Sequence, residues 1–333
     1  LIMLLTGMFA SSVFAASVSI LGTWTGGEAE AFNKMVAPFE AKTGIKVEFT
    51  GTRDLPAVLT TQVEAGNPPD VSAIPNPGQM IEFARAGKLV DLSTFMDMEV
   101  LRSDYSPTWL DLGTYGGKLN GVFISADLKS LVWYSPKAFA AAGYTVPTTW
   151  EEMIALSDKM VADGKTPWAI GFESGAASGW AGTDWIEDIM LRTVEPEVYD
   201  LWVKHGISWV DERVQRAFEL FGQIALNEKY VYGGTNAELT INFGDSPDAL
   251  FTTPPNAYMH RQATFIKSFI LDHFPNLVPG QDFDFFPLPP IDPQYGNPAL
   301  GAADMFAMFK DTPEARSFME YICLLYTSDA ADE

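Results

Sequence analysis

The chain holds one cysteine and three histidines in 333 residues. A single thiol excludes a disulfide framework and any cysteine-held zinc or iron–sulfur site. His205, His260 and His273 are scattered and leave little room for a histidine-ligated metal, so no cofactor is expected. Positive charge is scarce as well: 21 Lys and Arg stand against 43 Asp and Glu, a formal net charge of −22. A surface that negative repels phosphate backbones and anionic headgroups, so neither nucleic acid nor a lipid surface is expected as a partner.

Catalytic signatures are missing too. There is no G-x-S-x-G, H-E-x-x-H, EF-hand loop or G-x-G-x-x-G. Gly164-Lys165-Thr166 approaches a phosphate-binding loop, but Lys159 stands where that loop requires glycine, and Gly164 reads better as a helix C-cap. A glycosidase needs two carboxylates flanking the scissile bond, and 43 acids single out no pair. What is present is apolar material for a core, 47% hydrophobic and 13% aromatic, in a length that suits about two domains.

The ends are distinctive. Residues 1–10 are an uncharged apolar run, too short to span a bilayer, which takes ~20 apolar residues. It leads to Ser11-Ser12-Val13-Phe14-Ala15, with Val13 and Ala15 at the −3 and −1 positions of a cleavage site. Residues 1–15 are therefore expected to be a signal peptide that lacks its basic n-region, exporting a soluble protein to the periplasm. No cysteine follows the cleavage site, so no lipid anchor is expected. At the other end a helical run over 312–322 passes abruptly into 323–333, which resembles translated adapter sequence and is expected to be a non-native tail on a C-terminally truncated chain.

Between the ends, strands and helices alternate. Ser17–Leu21 and Ile45–Phe49 have period-two patterns. Between them Phe32, Met35, Val36 and Phe39 form a helical stripe closed by Gly44. Helices over 55–65 and 79–86 and a strand over 70–74 complete a βαβαβα run, which predicts a parallel sheet. A second alternation starts at Leu131–Ser135. Thr149 and Glu152 form a capping box, a strand is expected over 168–172, and helices over 183–192, 211–227 and 262–271. Short strands are expected over 257–259 and 282–288. The fold class is α/β with two lobes. Residues 16–125 with about 275–322 make the first lobe and 126–274 the second, with the chain crossing near 122–130 and 270–285.

Polar and aromatic residues recur at strand ends: Trp24 and Glu28 after the first strand, Arg53 and Asp54 after the second, Asn76 after the third. Ligands of open parallel sheets bind at those ends. Carboxylates and amides accept hydroxyl hydrogens, and indole offers a flat face to sugar C–H groups. Each residue also has a plainer role: helix-dipole charge for Glu28, N-cap for Asp54, Asx-turn for Asn76, core for Trp24. In the second block, small residues around Trp180 leave its ring open for stacking. Asp184 sits in a first helical turn, Arg261 follows a short strand, and Trp185 is expected to pack inward with Ile189.

The segments WTGGEAEAFNKMVAPFEAKTGIKVEF, EAGNPPDV, GKLNGVFIS, SLVWYSPKAF and VPTTWEEM resemble extracellular solute-binding protein family 1, the sugar-binding components of ABC importers. GTRDLPAVLTTQVEAGNPPD, SADLKSLVWYSPKAF and ESGAASGW with TDWIEDIMLR are similar to the α-glucoside-binding members. The resemblance runs from about Val18 to Ile322. It implies a two-lobed periplasmic-binding-protein fold of type II-like build, with sugar held between lobes that close about a hinge. It implies Trp24, Glu28, Asp54, Asn76, Asp127, Trp180, Asp184 and Arg261 as ligand contacts, with Asp127 at the hinge. The expected function is a monomeric, non-enzymatic periplasmic receptor for an α-glucoside such as maltose, sucrose or trehalose, with the permease transmembrane subunits of an ABC importer as partner. The alternatives are a secreted glycoside hydrolase, or a receptor for a polyamine or glycerol phosphate.

Overall fold

The computed structural model describes residues 16–325, so the expected signal peptide and residues 326–333 lie outside the described residues. In chain order the first lobe contains β1 (Ser17–Gly22), α1 (Gly26–Thr43), β2 (Lys46–Gly51), α2 (Leu55–Glu64), β3 (Val71–Ile74) and α3 (Pro77–Arg85). Helices α4 (Met98–Asp104) and α5 (Pro107–Leu112) follow, then a hairpin of β4 (Thr114–Tyr115) and β5 (Lys118–Leu119), and β6 (Val122–Phe123). The stripe read from the sequence is the buried face of α1, where Phe32, Val36 and Phe39 point into the core. Gly44 ends the helix in the left-handed region at φ 74°, its amide donating to Glu40 O, a conformation that favours glycine.

Strand β7 (Asp127–Leu128) crosses to the second lobe. That lobe holds β8 (Leu131–Tyr134), α6 (Pro136–Ala142), α7 (Trp150–Ala162), α8 (Trp180–Leu191), α9 (Pro196–Val203), α10 (Glu212–Ala225), β9 (Met259–Arg261), α11 (Ile266–His273) and β10 (Asp284–Pro287). Strand β11 (Gly301–Ala302) returns to β12 (Met305–Met308) and α12 (Pro313–Glu320).

The first sheet runs β2-β1-β3-β12-β6. Its β1 pairs are parallel, as the βαβ pattern predicts, whereas β12 is antiparallel to both β3 and β6, so the sheet is mixed. The second lobe has an antiparallel sheet ordered β10-β8-β9. Two expectations are corrected. Strand β10, placed at the return crossing, pairs with β8 inside the second lobe, and the chain returns at β11, which pairs antiparallel with β7. No strand forms over 168–172. Trp168 and Glu173 make only isolated bridges, because Trp168 is held between Val231 and Met259 rather than along one partner strand. Cys323, the first residue of the expected tail, is buried in the first-lobe core with Phe318 and Ile322.

The capping box is present in altered form: Thr149 Oγ1 accepts the Glu152 amide at 3.1 Å, while Glu152 Oε2 reaches the Thr148 amide at 2.7 Å. Trp185 and Ile189 pack inward together in the second-lobe core, as expected. Among the described residues no helix is long and apolar enough to cross a membrane, and no cluster of His, Cys, Asp and Glu could hold a metal ion.

Candidate functional site

The two lobes share a cleft of about 1860 Å³. That exceeds the ~300–1,000 Å³ usual for small-molecule pockets and gives room for an oligosaccharide. Its lining comes from the strand ends of the first sheet, from the β7 and β11 crossings, and from α8 with the loop before it. Of the eight expected residues, Trp24, Glu28, Asn76, Asp127, Trp180 and Asp184 line it; Asp54 and Arg261 do not.

On the first-lobe side the β1–α1 loop places Trp24 at the cleft wall. Its ring lies within 6.0 Å of Phe32, Phe49 and Phe306, and its indole N–H donates to Asp304 Oδ2 at 2.8 Å. Asp304, between β11 and β12, is the wall's main acid: burial pushes its carboxyl up to about 6, against the pull of the Trp24 bond. Asp127 and Glu28 raise it further by like-charge repulsion. Glu28 stands in the first turn of α1 and pairs with Arg53; burial still holds its pKa above the usual carboxylate range. Asp127 accepts the Thr264 hydroxyl at 2.7 Å. Asn76 is both things the sequence allowed: its Oδ1 caps α3 by accepting the amides of Gly78 (2.8 Å) and Gln79 (3.3 Å), and it also lines the cleft.

The second-lobe side is built around one stripe of α8. Trp180, Thr183, Asp184 and Glu187 fall at i, i+3, i+4 and i+7 and all line the cleft. Trp180 is not the open platform expected. Phe243 meets it edge-on at 5.0 Å, Phe265 lies 5.9 Å away, and the Lys129 ammonium stands 5.0 Å from its ring centroid. Lys129 also donates to Asp184 Oδ1 at 2.8 Å. Asp184 is 3% exposed, and burial raises its pKa although Lys129 and Arg261 oppose the rise. Glu187 is pushed to about 7 by burial and the nearby Asp184 charge.

Asp54 and Arg261 have other positions. Asp54 does not cap α2 with its side chain; Oδ1 accepts the Ala176 amide from the other lobe at 2.9 Å. Arg261 lies beneath α8, donating to Asp188 Oδ2 at 2.9 Å and Asp184 O at 3.0 Å. It belongs to a buried set in which Asp188 also accepts the Ser130 hydroxyl and pairs with Arg192.

The sequence reading missed Lys129, Glu187, Phe243 and Asp304 as cleft residues. Glu187 was legible, because it continues the helical spacing of Trp180 and Asp184. Asp304 was not, because its place depends on where the chain returns. In chemical terms the cleft offers five carboxylates, four cations of which Arg53 and Lys129 are paired with cleft acids, and aromatic faces, a set suited to hydroxyl donors.

The sequence model of the bacterial extracellular solute-binding protein family matches residues 25–323. The osmoprotective compounds-binding protein GgtB of Synechocystis sp. is 49% identical over 305 residues, covering 92% of this chain and 72% of that protein. The alpha-glucosides-binding periplasmic protein AglE of Rhizobium meliloti is 42% identical over 316 residues, covering 92% and 68%. Among solved structures, the bacterial solute receptor AcbH superposes with a TM-score of 0.75 at 21% identity, covering 93% of this chain and 76% of that one. A chitin oligosaccharide binding protein gives 0.74 at 22%, covering 92% and 77%. These structural likenesses confirm the two-lobed fold, and with the family match over most of its length the chain belongs to the bacterial extracellular solute-binding proteins.

Proposed function

We propose that this chain is the ligand-capturing component of an ABC importer for α-glucosides. It is exported to the periplasm by a cleaved leader and works there as a monomer that hands its ligand to the permease subunits. The observation that carries this reading is the wall of Trp24, Asp304, Glu28 and Asp127 in a cleft shared by two lobes. Ionised carboxylates accept several hydroxyl hydrogens each, and an indole beside them takes the apolar face of a sugar. The likeness to AglE supports an α-glucoside. The likeness to GgtB adds osmoprotective compounds, and trehalose and sucrose meet both descriptions. Two of the four cations lining the cleft are paired with its own acids, Arg53 with Glu28 and Lys129 with Asp184, and its five carboxylates favour hydroxyl donors over a phosphate or other anion. The ligand bridges the lobes, favours the closed state and leaves unchanged, without turnover.

Calorimetry with maltose, sucrose and trehalose, set against spermidine and glycerol 3-phosphate, tests the reading. Saturable binding of at least one α-glucoside is expected. Silence across all three sugars sinks it. Hydrolysis of a chromogenic α-glucoside, abolished by changing one cleft carboxylate, would move the protein to the glycoside hydrolases.

A further inference from the structure

The β7–β8 connection carries Lys129 into the cleft, its backbone fixed by a 2.8 Å bond from its amide to Leu300 O on the returning chain. Its side chain makes two contacts at once: 2.8 Å to Asp184 Oδ1 and 5.0 Å to the Trp180 ring centroid. A carboxylate beside an aromatic face is the arrangement that binds alkylammonium groups. Here its parts are held from behind. Phe243 backs Trp180 edge-on at 5.0 Å, and Asp184, 3% exposed, is fixed in a buried turn of α8. Among the described residues Asp184 Oδ2 has no hydrogen-bond partner; the guanidinium nitrogen Arg261 Nη1 is 3.8 Å away. Glu187 adds a second acidic group along the same helical face, lining the same cavity. The neighbouring charges are spoken for, since Asp188 is taken by Ser130, Arg192 and Arg261.

We propose that Trp180, Asp184 and Glu187 form a cation cage whose occupant is the protein's own Lys129 ammonium, making Lys129 the residue that excludes cationic solutes from the cleft. An acid-rich cleft would otherwise attract polyamines and quaternary ammonium compounds. A tethered ammonium fills the place at high effective concentration and confines the cleft to uncharged ligands. The inference deepens the sugar reading by saying which solutes the same site refuses, and it rests on that reading only for the identity of the accepted ligand.

The test is chemical replacement of the tethered cation in the full chain. Lys129→Ala removes the ammonium, and n-butylammonium and choline are titrated with sodium chloride as the ionic control. The variant is expected to show a saturable rise in melting temperature and saturable calorimetric heat with n-butylammonium. The wild type should show neither with n-butylammonium, choline or putrescine. Adding Asp184→Asn to the variant should weaken ammonium binding at least tenfold. Saturable binding of any of these cations by the wild type overturns the proposal, and so does a folded Lys129→Ala variant indifferent to n-butylammonium. Should Lys129→Ala be unfolded alone, n-butylammonium must restore its folded circular dichroism spectrum, and failure to do so counts against the cage. Maltose and trehalose titrations of the wild type read the sugar assignment separately, so either conclusion can fall while the other stands.

Discussion

Asp54 accepts the backbone amide of Ala176 at 2.9 Å, and this bond joins the first lobe to the second. A reciprocal contact runs the other way: Asp272 on α11 accepts the Gly27 amide at the start of α1, at 3.2 Å. Each lobe thus extends a carboxylate to a glycine-containing turn of its partner, and Arg53 reaches over to within 4.8 Å of the Phe269 ring. Closure then draws on protein contacts as well as on ligand.

Because Asp54 does not line the cavity, Asp54→Ala should weaken every ligand by the same factor. Apparent affinity scales with the closed fraction, and losing a charge-assisted bond of ~1.5–3 kcal/mol implies about a tenfold loss or more. Gly175→Ala should act alike, since a Cβ there would sit 2.1 Å from Asp54 Oδ1 and the backbone stands at φ 54°. Calorimetry with two different sugars decides it. A loss confined to one sugar would make Asp54 a ligand contact instead.

Arg261→Ala should separate stability from binding. The guanidinium is 1% exposed and holds Asp188 at 2.9 Å, so its loss strands buried carboxylates at a cost of about 3–5 kcal/mol. It does not line the cleft, so sugar affinity of the folded variant should stay within about threefold of wild type. Urea denaturation and calorimetry read the two effects. An intact fold with lost affinity would return Arg261 to the site.

The contrast between Arg261 and Glu187 shows what the sequence could carry. Local periodicity placed α1, α2 and α8 and, extended by one turn, would have named Glu187. Strand-end reasoning put Trp24, Glu28 and Asn76 at the cleft because β1, β2 and β3 are parallel neighbours whose ends coincide. It failed for Arg261, because β9 lies in an antiparallel sheet, where the end of a strand marks no common face. Asp304 and Lys129 depend on the pairing of β7 with β11, residues more than 170 apart, and no local pattern encodes such a pair.

Trp24→Phe keeps an aromatic ring, though a smaller one, and removes the N–H that Asp304 receives, leaving Ser125 Oγ at 3.4 Å as its side-chain partner. A desolvated carboxylate without its donor costs ~1–3 kcal/mol, so the melting temperature and the sugar affinity should both fall. In an Asp304→Asn background the same substitution should cost much less, because the charge it served is gone. Equal losses in the two backgrounds would show that the bond contributes nothing and that Trp24 acts by its ring alone.

Stability should fall as pH rises from 6 to 8.5. Burial holds the Glu187 carboxyl at about 7 and the Glu238 carboxyl at about 8, both well above their ordinary 4.5. A carboxyl raised on folding binds its proton more tightly in the folded chain, so over this window the folded state holds more protons than the unfolded one. Stability then declines as each group ionises. His273, raised by its hydrogen bond to Asp248, works in the same direction, since its contribution is lost as pH climbs through its folded value. His260, pushed down to about 4, opposes them at the low end of the window: it is already neutral in the folded chain while the unfolded imidazole still binds protons near its ordinary 6.5, so its part of the stability rises between pH 6 and 7 and is the smaller effect. The melting temperature at pH 6 should exceed that at pH 8.5 by about 3 °C or more. Glu238 is 3% exposed and its Oε2 has no hydrogen-bond partner among the described residues, so Glu238→Gln should flatten the profile between pH 7 and 8.5. A slope unchanged by that substitution would place the titration elsewhere.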